Sequence, residues 1–252
     1  MCLVALAPSL GRAGEQRGTN MRDACFSQAD LSAQAGEKAP RKGARGYDRP
    51  EPARTLHPFA PVPAHLRGAI RRVRLPAGQK LVALTLDLCE QPGEIAGYDG
   101  AIIDFLRSEG VKATLFVGGK WLRSHERRAR QLMADPLFAI ANHSAAHRNL
   151  RMLSGDRLKE ESEAPQRAYE AVHEAFSREQ CVTEAGAAAW RTLPRRMSLF
   201  RFPYGACNAA SLGAVNDAGL LAIQWDVSLG DPWPGQSAAA IAREMLGKTK
   251  PG

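Results

Sequence analysis

The sequence predicts an α/β domain built from parallel strand–helix–strand units. Three observations carry this. Short continuous apolar runs alternate with stretches whose apolar residues recur at helical spacing. Polar residues able to do chemistry fall just after the apolar runs, where the functional loops of such folds gather. The 252 residues, 44% of them hydrophobic, suffice for one large domain with a sizeable core.

Taken in order, residues 1–50 lack sustained periodicity and are rich in Gly, Arg, Ala and Gln, which predicts poor order. Leu3–Leu10 is apolar but short, with no Lys or Arg before it. Ala33-Gln34-Ala35 resembles a small-residue cleavage site, but its upstream neighbours are polar, so no complete secretory signal is visible. A missed upstream start or a damaged leader would read the same way. Pro50-Glu51-Pro52 and the stretch Pro58–Pro63 read as extended linker. The expected division is therefore a basic, poorly ordered leader and linker over 1–76 and a catalytic-type domain over 77–252.

Leu81–Leu86 is a continuous apolar run, the pattern of a strand covered on both faces. A helix follows over Ala101–Arg107, then a buried strand over Ala113–Val117. Trp121–Met133 is a basic amphipathic helix and Phe138–Ala141 a third strand. Ser154 is placed to cap a helix running to Phe176, with a break allowed at Pro165. Leu199–Phe202 is a short strand, Asn208 caps a helix to about Ala218, Leu220–Trp225 is a strand and Ala238–Leu246 a helix.

Composition excludes several classes. There is no stretch of 18 apolar residues, so no transmembrane helix is expected. Five cysteines, an odd number in a chain this long, argue against a disulfide-framework fold. The net charge of +8 belongs entirely to residues 1–80, which hold 14 Lys+Arg against 6 Asp+Glu. The remainder is balanced. With no aromatic platform, recognition helix or zinc-finger spacing beside it, that charge reads as a solvated leader rather than a nucleic-acid surface.

The chemically capable residues sit at strand ends: Asp87, His143, His147, Arg201, Tyr204, Asp226 and Asp231. On a helical turn, His143 and His147 would share one face and could hold one metal ion; they could equally be hydrogen-bonded surface residues. Asp87 could be a base, a ligand or a loop cap, and Arg201 a partner for a buried carboxylate or a surface residue.

In this order, Leu84-Thr85-Leu86-Asp87, Asn142–His147, Arg201-Phe202-Pro203-Tyr204-Gly205 and Trp225–Asp231 resemble the successive motifs of the polysaccharide deacetylases, carbohydrate esterase family four. Gly110–Gly119 is similar to that family's second strand, and the resemblance covers roughly 80–250. It implies a distorted (β/α) barrel of fewer than eight units. The implied activity is hydrolysis of acetyl groups from N- or O-acetylated polysaccharide by metal-activated water. His143 and His147 would hold a divalent ion, Zn²⁺ or Co²⁺. Asp87 would be the general base, with Arg201 holding it ionised. The Tyr204 backbone N–H would stabilise the oxyanion. Trp225 would line the acetyl pocket, with Asp226 and Asp231 contacting substrate or ligands. An acetylated glycan is the implied partner, and a monomer in the periplasm or outside the cell the expected setting.

Three departures from the family pattern matter. The usual second aspartate after the first strand is Leu88, so Glu90 is the replacement expected as third ligand, with Asp99 behind it. Loss of that ligand also opens a metal-independent alternative, since some relatives cleave cyclic amides without metal. The family's last motif supplies a histidine that protonates the leaving amine, yet none of the six histidines lies beyond His173. The expectation is a chain truncated before its last strand, slow or inactive, with His125 and His173 on helix surfaces. Asp231-Pro232-Trp233 replaces the usual Asp-Trp pair. Cys89 and Cys207 each closely follow a motif; they could form a disulfide or a soft metal contact, and are expected to be two independent thiols. Cys2, Cys25 and Cys181 carry no readable signal.

Overall fold

The computed structural model describes residues 20–43, 45–50, 52, 59–230 and 235–251. Two short helices, α1 (Met21–Cys25) and α2 (Gln28–Leu31), come first, capped by the side chains of Asn20 and Ser27. Strand β1 (Arg41–Lys42) follows, then β2 (Ala69–Ile70), β3 (Thr85–Leu88) and β4 (Glu94–Ile95), which pairs back antiparallel with β1. Next come α3 (Gly100–Ser108), β5 (Ala113–Val117), α4 (Gly119–Ser124), α5 (Glu126–Ala134) and β6 (Phe138–Asn142). After the long helix α6 (Gly155–Ser177) lie α7 (Gln180–Trp190), β7 (Leu199–Phe200), α8 (Ala209–Asp217), β8 (Leu221–Ile223) and α9 (Ala238–Lys248).

Six of these strands form one parallel sheet in the order β2-β8-β7-β6-β5-β3, curled into a half-barrel. The expected distorted (β/α) barrel is therefore the fold. Because all six run the same way, their C-terminal ends share one rim. Pairing sets Leu88 beside Val117, Val117 beside Asn142, Asn142 beside Phe200 and Phe200 beside Ala222. His143 and Arg201 follow Asn142 and Phe200 directly, and Asp87 immediately precedes Leu88.

Two buried clusters back the sheet. Leu115, Val117, Trp121, Leu132 and Tyr169 fill one; Phe200, Phe202, Val215 and Ala222 the other. Helix α6 joins them, giving Leu158 to the second and Tyr169 and Val172 to the first. It passes α4 so closely that a Cβ on Gly119 would lie 3.1 Å from the Cα of Pro165. Glycine permits that approach.

Several expectations are corrected. The first strand is Thr85–Leu88, not 81–86, and Leu81 and Val82 are 59% and 61% exposed. Cross-strand bonding starts where the Thr114 N–H donates to the Leu84 carbonyl, so the upstream apolar residues lie outside the ladder with β5. The leader is not unstructured from residue 20 onward. Met21 is buried with Phe176, Val182 and Leu193, and Cys25 is joined to Cys181. The Arg128 guanidinium donates to the carbonyls of Asp30, Leu31 and Ser32 and to the Glu37 carboxylate. Such long-range polar ties leave no periodic trace in the sequence. β2 is a full member of the sheet, so the domain begins before residue 77. Leu3–Leu10 lies outside the described residues, as does most of the Pro58–Pro63 linker's upstream neighbourhood. Helix α7 was not anticipated. The single helix expected over Trp121–Met133 is divided at His125 into α4 and α5.

Candidate active site

Thr85 and Asp87, two residues apart, share the inner face of β3. The Arg201 guanidinium bridges both: its Nη1 donates to Asp87 Oδ1 at 2.8 Å and to Thr85 Oγ1 at 2.8 Å. Arg201 is 3% exposed and its guanidinium lies 3.9 Å from the centre of the Phe116 ring, the β5 neighbour of Asp87. A buried cation with a carboxylate, a hydroxyl and a π face around it is well compensated.

His143 is fully enclosed at the end of β6. Its Nδ1 lies 2.9 Å from the Arg201 carbonyl oxygen, which can only accept, so Nδ1 carries the proton. The Nε2 lone pair then faces Asp87 Oδ2 at 3.6 Å. Burial, the largest influence, pushes the His143 pKa down, with Asp87 opposing. His147 is pushed down to about 4, by burial and then by His143. Both imidazoles are thus neutral, the form that binds metal ions.

The two histidines do not meet on a helix, as the spacing suggested. They meet through a loop, with ring centres 5.0 Å apart. That loop is held by its own polar residues. Asn142 accepts from the Ser144 N–H and donates to the Ser162 carbonyl; the Ser144 hydroxyl accepts from the His147 N–H. Glu161, on α6, accepts from the N–H groups of Ala145 and Ala146 at 3.0 and 3.1 Å. Burial pushes its carboxyl up, and the Ala146 N–H and Arg148 work against that. Among the described residues, the non-glycine positions with positive φ are Ser144, His147 and Tyr204, all here. Backbone strain concentrated at one place marks a site whose geometry the fold enforces. Replacing Glu161 by Ala strands one buried and one half-buried N–H group and should cost roughly 1–3 kcal/mol. A denaturation midpoint unchanged from the parent, or unaltered amide exchange at Ala145 and Ala146, contradicts this.

Tyr204 follows β7 in a tight turn at φ 59°. Its ring lies 4.6 Å from that of His147. Gly205, at φ 63°, lets Trp225 approach: a Cβ there would sit 2.9 Å from the indole. Trp225 also lies 5.8 Å from the Arg201 guanidinium, so it forms a wall of the site. Asp226 pairs with Arg72 at 2.8 Å. Asp231 and Trp233 lie outside the described residues.

Glu90 is the clearest correction. It is buried and turned away from the imidazoles, accepting from the Ala96 N–H and from the Ser124 hydroxyl at 2.6 Å, with His125 Nδ1 3.2 Å away. Its neighbour Cys89 faces the site instead. Cys89 offers Sγ, and His143 and His147 each a ring nitrogen, all within 4.8 Å of one another. Cys89 and Cys207 are independent free thiols, as expected. Burial pushes the Cys89 thiol up to about 12, with Asp87 adding to the effect. Gln91 was missed: its amide lies 2.8 Å from His147 Nδ1 and 3.0 Å from the Tyr204 hydroxyl. Glu161 was also missed, though a carboxylate on the core-facing side of α6 is a readable signal. His125 and His173 are not surface residues. His125 stacks on Trp121 and His173 packs between Tyr169 and Trp190.

The sequence profile of the polysaccharide deacetylases matches residues 74–223, more than half the chain. The chain belongs to the polysaccharide deacetylase family. It is similar to a chitooligosaccharide deacetylase of Rhizobium leguminosarum bv. phaseoli, 27% identical over 151 residues, covering 60% of this chain and 57% of that protein. A chitooligosaccharide deacetylase of Bradyrhizobium sp. (strain ANU 289) is 27% identical over 176 residues, 70% of this chain and 69% of the relative. The chain thus spans little more than half of the first. A carbohydrate esterase family 4 pseudoenzyme from Bacillus anthracis shares the fold at 22% identity and a TM-score of 0.58, covering 74% of this chain and 56% of that one. A peptidoglycan N-acetylglucosamine deacetylase does so at 24% identity and a TM-score of 0.54, covering 70% and 71%.

The neutral imidazoles carry a pH signature. When folded, His143 and His147 resist protonation; in the unfolded chain they titrate near 6.5. Below that pH the unfolded state binds more protons, so stability of the chelator-treated protein is full above about 6.5 and is lost as pH falls toward about 4. Unfolding midpoints at pH 7 and 5 should differ, and His147→Gln should shrink the difference; equal slopes in both proteins would refute this.

Proposed function

We propose that this family member hydrolyses acetyl groups from an N- or O-acetylated glycan at the site around Asp87. The observation that carries this is the Asp87 carboxylate, fixed by Arg201 at 2.8 Å and set 3.6 Å from the unprotonated nitrogen of His143. The donor set fits a divalent ion such as Zn²⁺ or Co²⁺: two neutral imidazoles with a thiol beside them. Such an ion, when bound, supplies Lewis acidity that acidifies water and polarises the acyl carbonyl.

The chain's own residues do the rest. Asp87 takes the proton of the attacking water at the oxygen not held by Arg201. Arg201 favours the charged form of Asp87 and fixes its rotamer through Thr85 and Phe116. The Arg201 carbonyl keeps the His143 proton on Nδ1, leaving Nε2 as a donor to the cation. Trp225 and the Tyr204 ring bound the space for the acetyl methyl, and the Tyr204 backbone N–H serves the developing oxyanion. The joined pair Cys25 and Cys181 supports a location outside the reducing cytoplasm, periplasmic or secreted. No helix among the described residues is long and apolar enough to cross a membrane.

Chitin oligomers and acetylated peptidoglycan fragments test the reading. Acetate release that chelator abolishes and Zn²⁺ or Co²⁺ restores is expected. Release unaffected by chelator points instead to metal-independent cleavage of small cyclic amides, the reading that Leu88 favours. No release by metal-loaded protein points to an inactive relative. The inactive reading is favoured by His125 and His173, whose rings pack on Trp121 and between Tyr169 and Trp190.

A further inference from the structure

We propose that Cys89 is the third protein ligand of the metal centre, making it a Cys-His-His site selective for thiophilic ions; this rests on the metal-dependent reading above. The segment after β3 leaves one candidate. Leu88 has no donor atom. Glu90 turns one carboxylate oxygen to the Ala96 N–H, the Ser124 hydroxyl and His125, and its carboxylate is not among the donor atoms grouped with the two imidazoles. Asp87 is held by Arg201 and needed as base. Cys89 is free, and its Sγ is grouped with the two imidazoles inside 4.8 Å. Ligands of a tetrahedral zinc ion lie about 3.3–3.6 Å apart, judging from typical Zn–S and Zn–N bonds. Side-chain rotation closes the remaining gap. On binding, the thiol proton leaves to solvent as the sulfur–metal bond forms.

Gln91 supports the same centre two residues on. Its amide reaches both His147 Nδ1 and the Tyr204 hydroxyl. The amide Nε2 faces both and donates to the Tyr204 hydroxyl; turning the amide over would let its oxygen accept from both, place the His147 proton on Nδ1 and leave Nε2 to the ion. A sulfur ligand shifts preference toward Zn²⁺, Co²⁺ and Cd²⁺ and away from Mg²⁺ and Mn²⁺, which suit carboxylate sites.

Cobalt reads the sulfur directly. Co²⁺ added to the chelator-stripped full chain, with Cys25–Cys181 intact, should give a near-ultraviolet sulfur-to-cobalt charge-transfer band. Cys207→Ser should keep it. Cys89→Ser should lose it and weaken Co²⁺ binding by at least roughly tenfold, the lower bound for losing even an outer partner. Cys89→Asp, folded by circular dichroism, should still bind Co²⁺ but without the band. Zn²⁺ should protect Cys89 from iodoacetamide, read by mass spectrometry. Cobalt bound with no band, a band surviving in Cys89→Ser, or no cobalt bound at all overturns the proposal. Chitin-oligomer deacetylation in the same samples separates the two claims. Chelator-sensitive turnover without the band overturns the thiolate ligand alone; the band without turnover overturns the hydrolase alone.

Discussion

Asp87→Asn should lower kcat on an acetylated chitin oligomer by roughly 10²- to 10⁴-fold, the usual worth of a positioned general base. The substitution keeps the shape and an acceptor oxygen for Arg201, so the fold survives. Arg201 loses its ionic partner but retains Thr85 Oγ1 at 2.8 Å and the Phe116 face at 3.9 Å. The stability loss should stay within roughly 1–3 kcal/mol, the range for a hydrogen bond to a charged group. KM should move far less than kcat, because Asp87 acts on water rather than on the glycan. A kcat within tenfold of the parent would remove Asp87 from its role as base.

The second large effect is on stability. Cys25 and Cys181 are 156 residues apart in sequence, so their bond closes a loop holding much of the domain. Replacing both by Ala should cost roughly 2–5 kcal/mol, chiefly by freeing the unfolded chain. For a chain of this size that lowers the Tm by roughly 4–20 °C. The bond joins α1 to α7, beside Met21, Phe176 and Val182, in a cluster distinct from the two that back the site. Turnover per folded molecule at 20 °C should therefore be unchanged. A Tm shift below 2 °C would show that the buried Arg128 and Met21 contacts hold the N-terminal segment by themselves.

Much of the site was legible because a parallel sheet turns sequence order into spatial proximity. Asp87, His143 and Arg201 each sit at or just past a strand's C-terminal end, and strands that pair in register bring those ends together. What failed to show was whatever depended on direction rather than position. Glu90 and Cys89 are adjacent, and nothing in their neighbours says which one the backbone turns inward. Gln91 acts through hydrogen bonds to residues far along the chain, which leave no periodicity. β2 is two residues long, too short for any pattern. Residues 20–43 lack a periodic pattern because scattered anchors hold them: the Arg128 contacts, the cross-link and single buried residues such as Met21 and Leu31. Leu81 and Val82 misled in the opposite sense: an apolar run marks burial only where a partner strand exists to pair with it.

Position 201 performs two jobs with two different parts of one residue. The guanidinium holds Asp87, while the main-chain oxygen holds the proton on the far nitrogen of His143. Side-chain scanning samples only the first job, since every substitution keeps the carbonyl. Such a scan will understate this position. Protein engineers who graft the constellation onto another scaffold must therefore copy the peptide plane after residue 201 along with the side chain, or the imidazole will present the wrong tautomer.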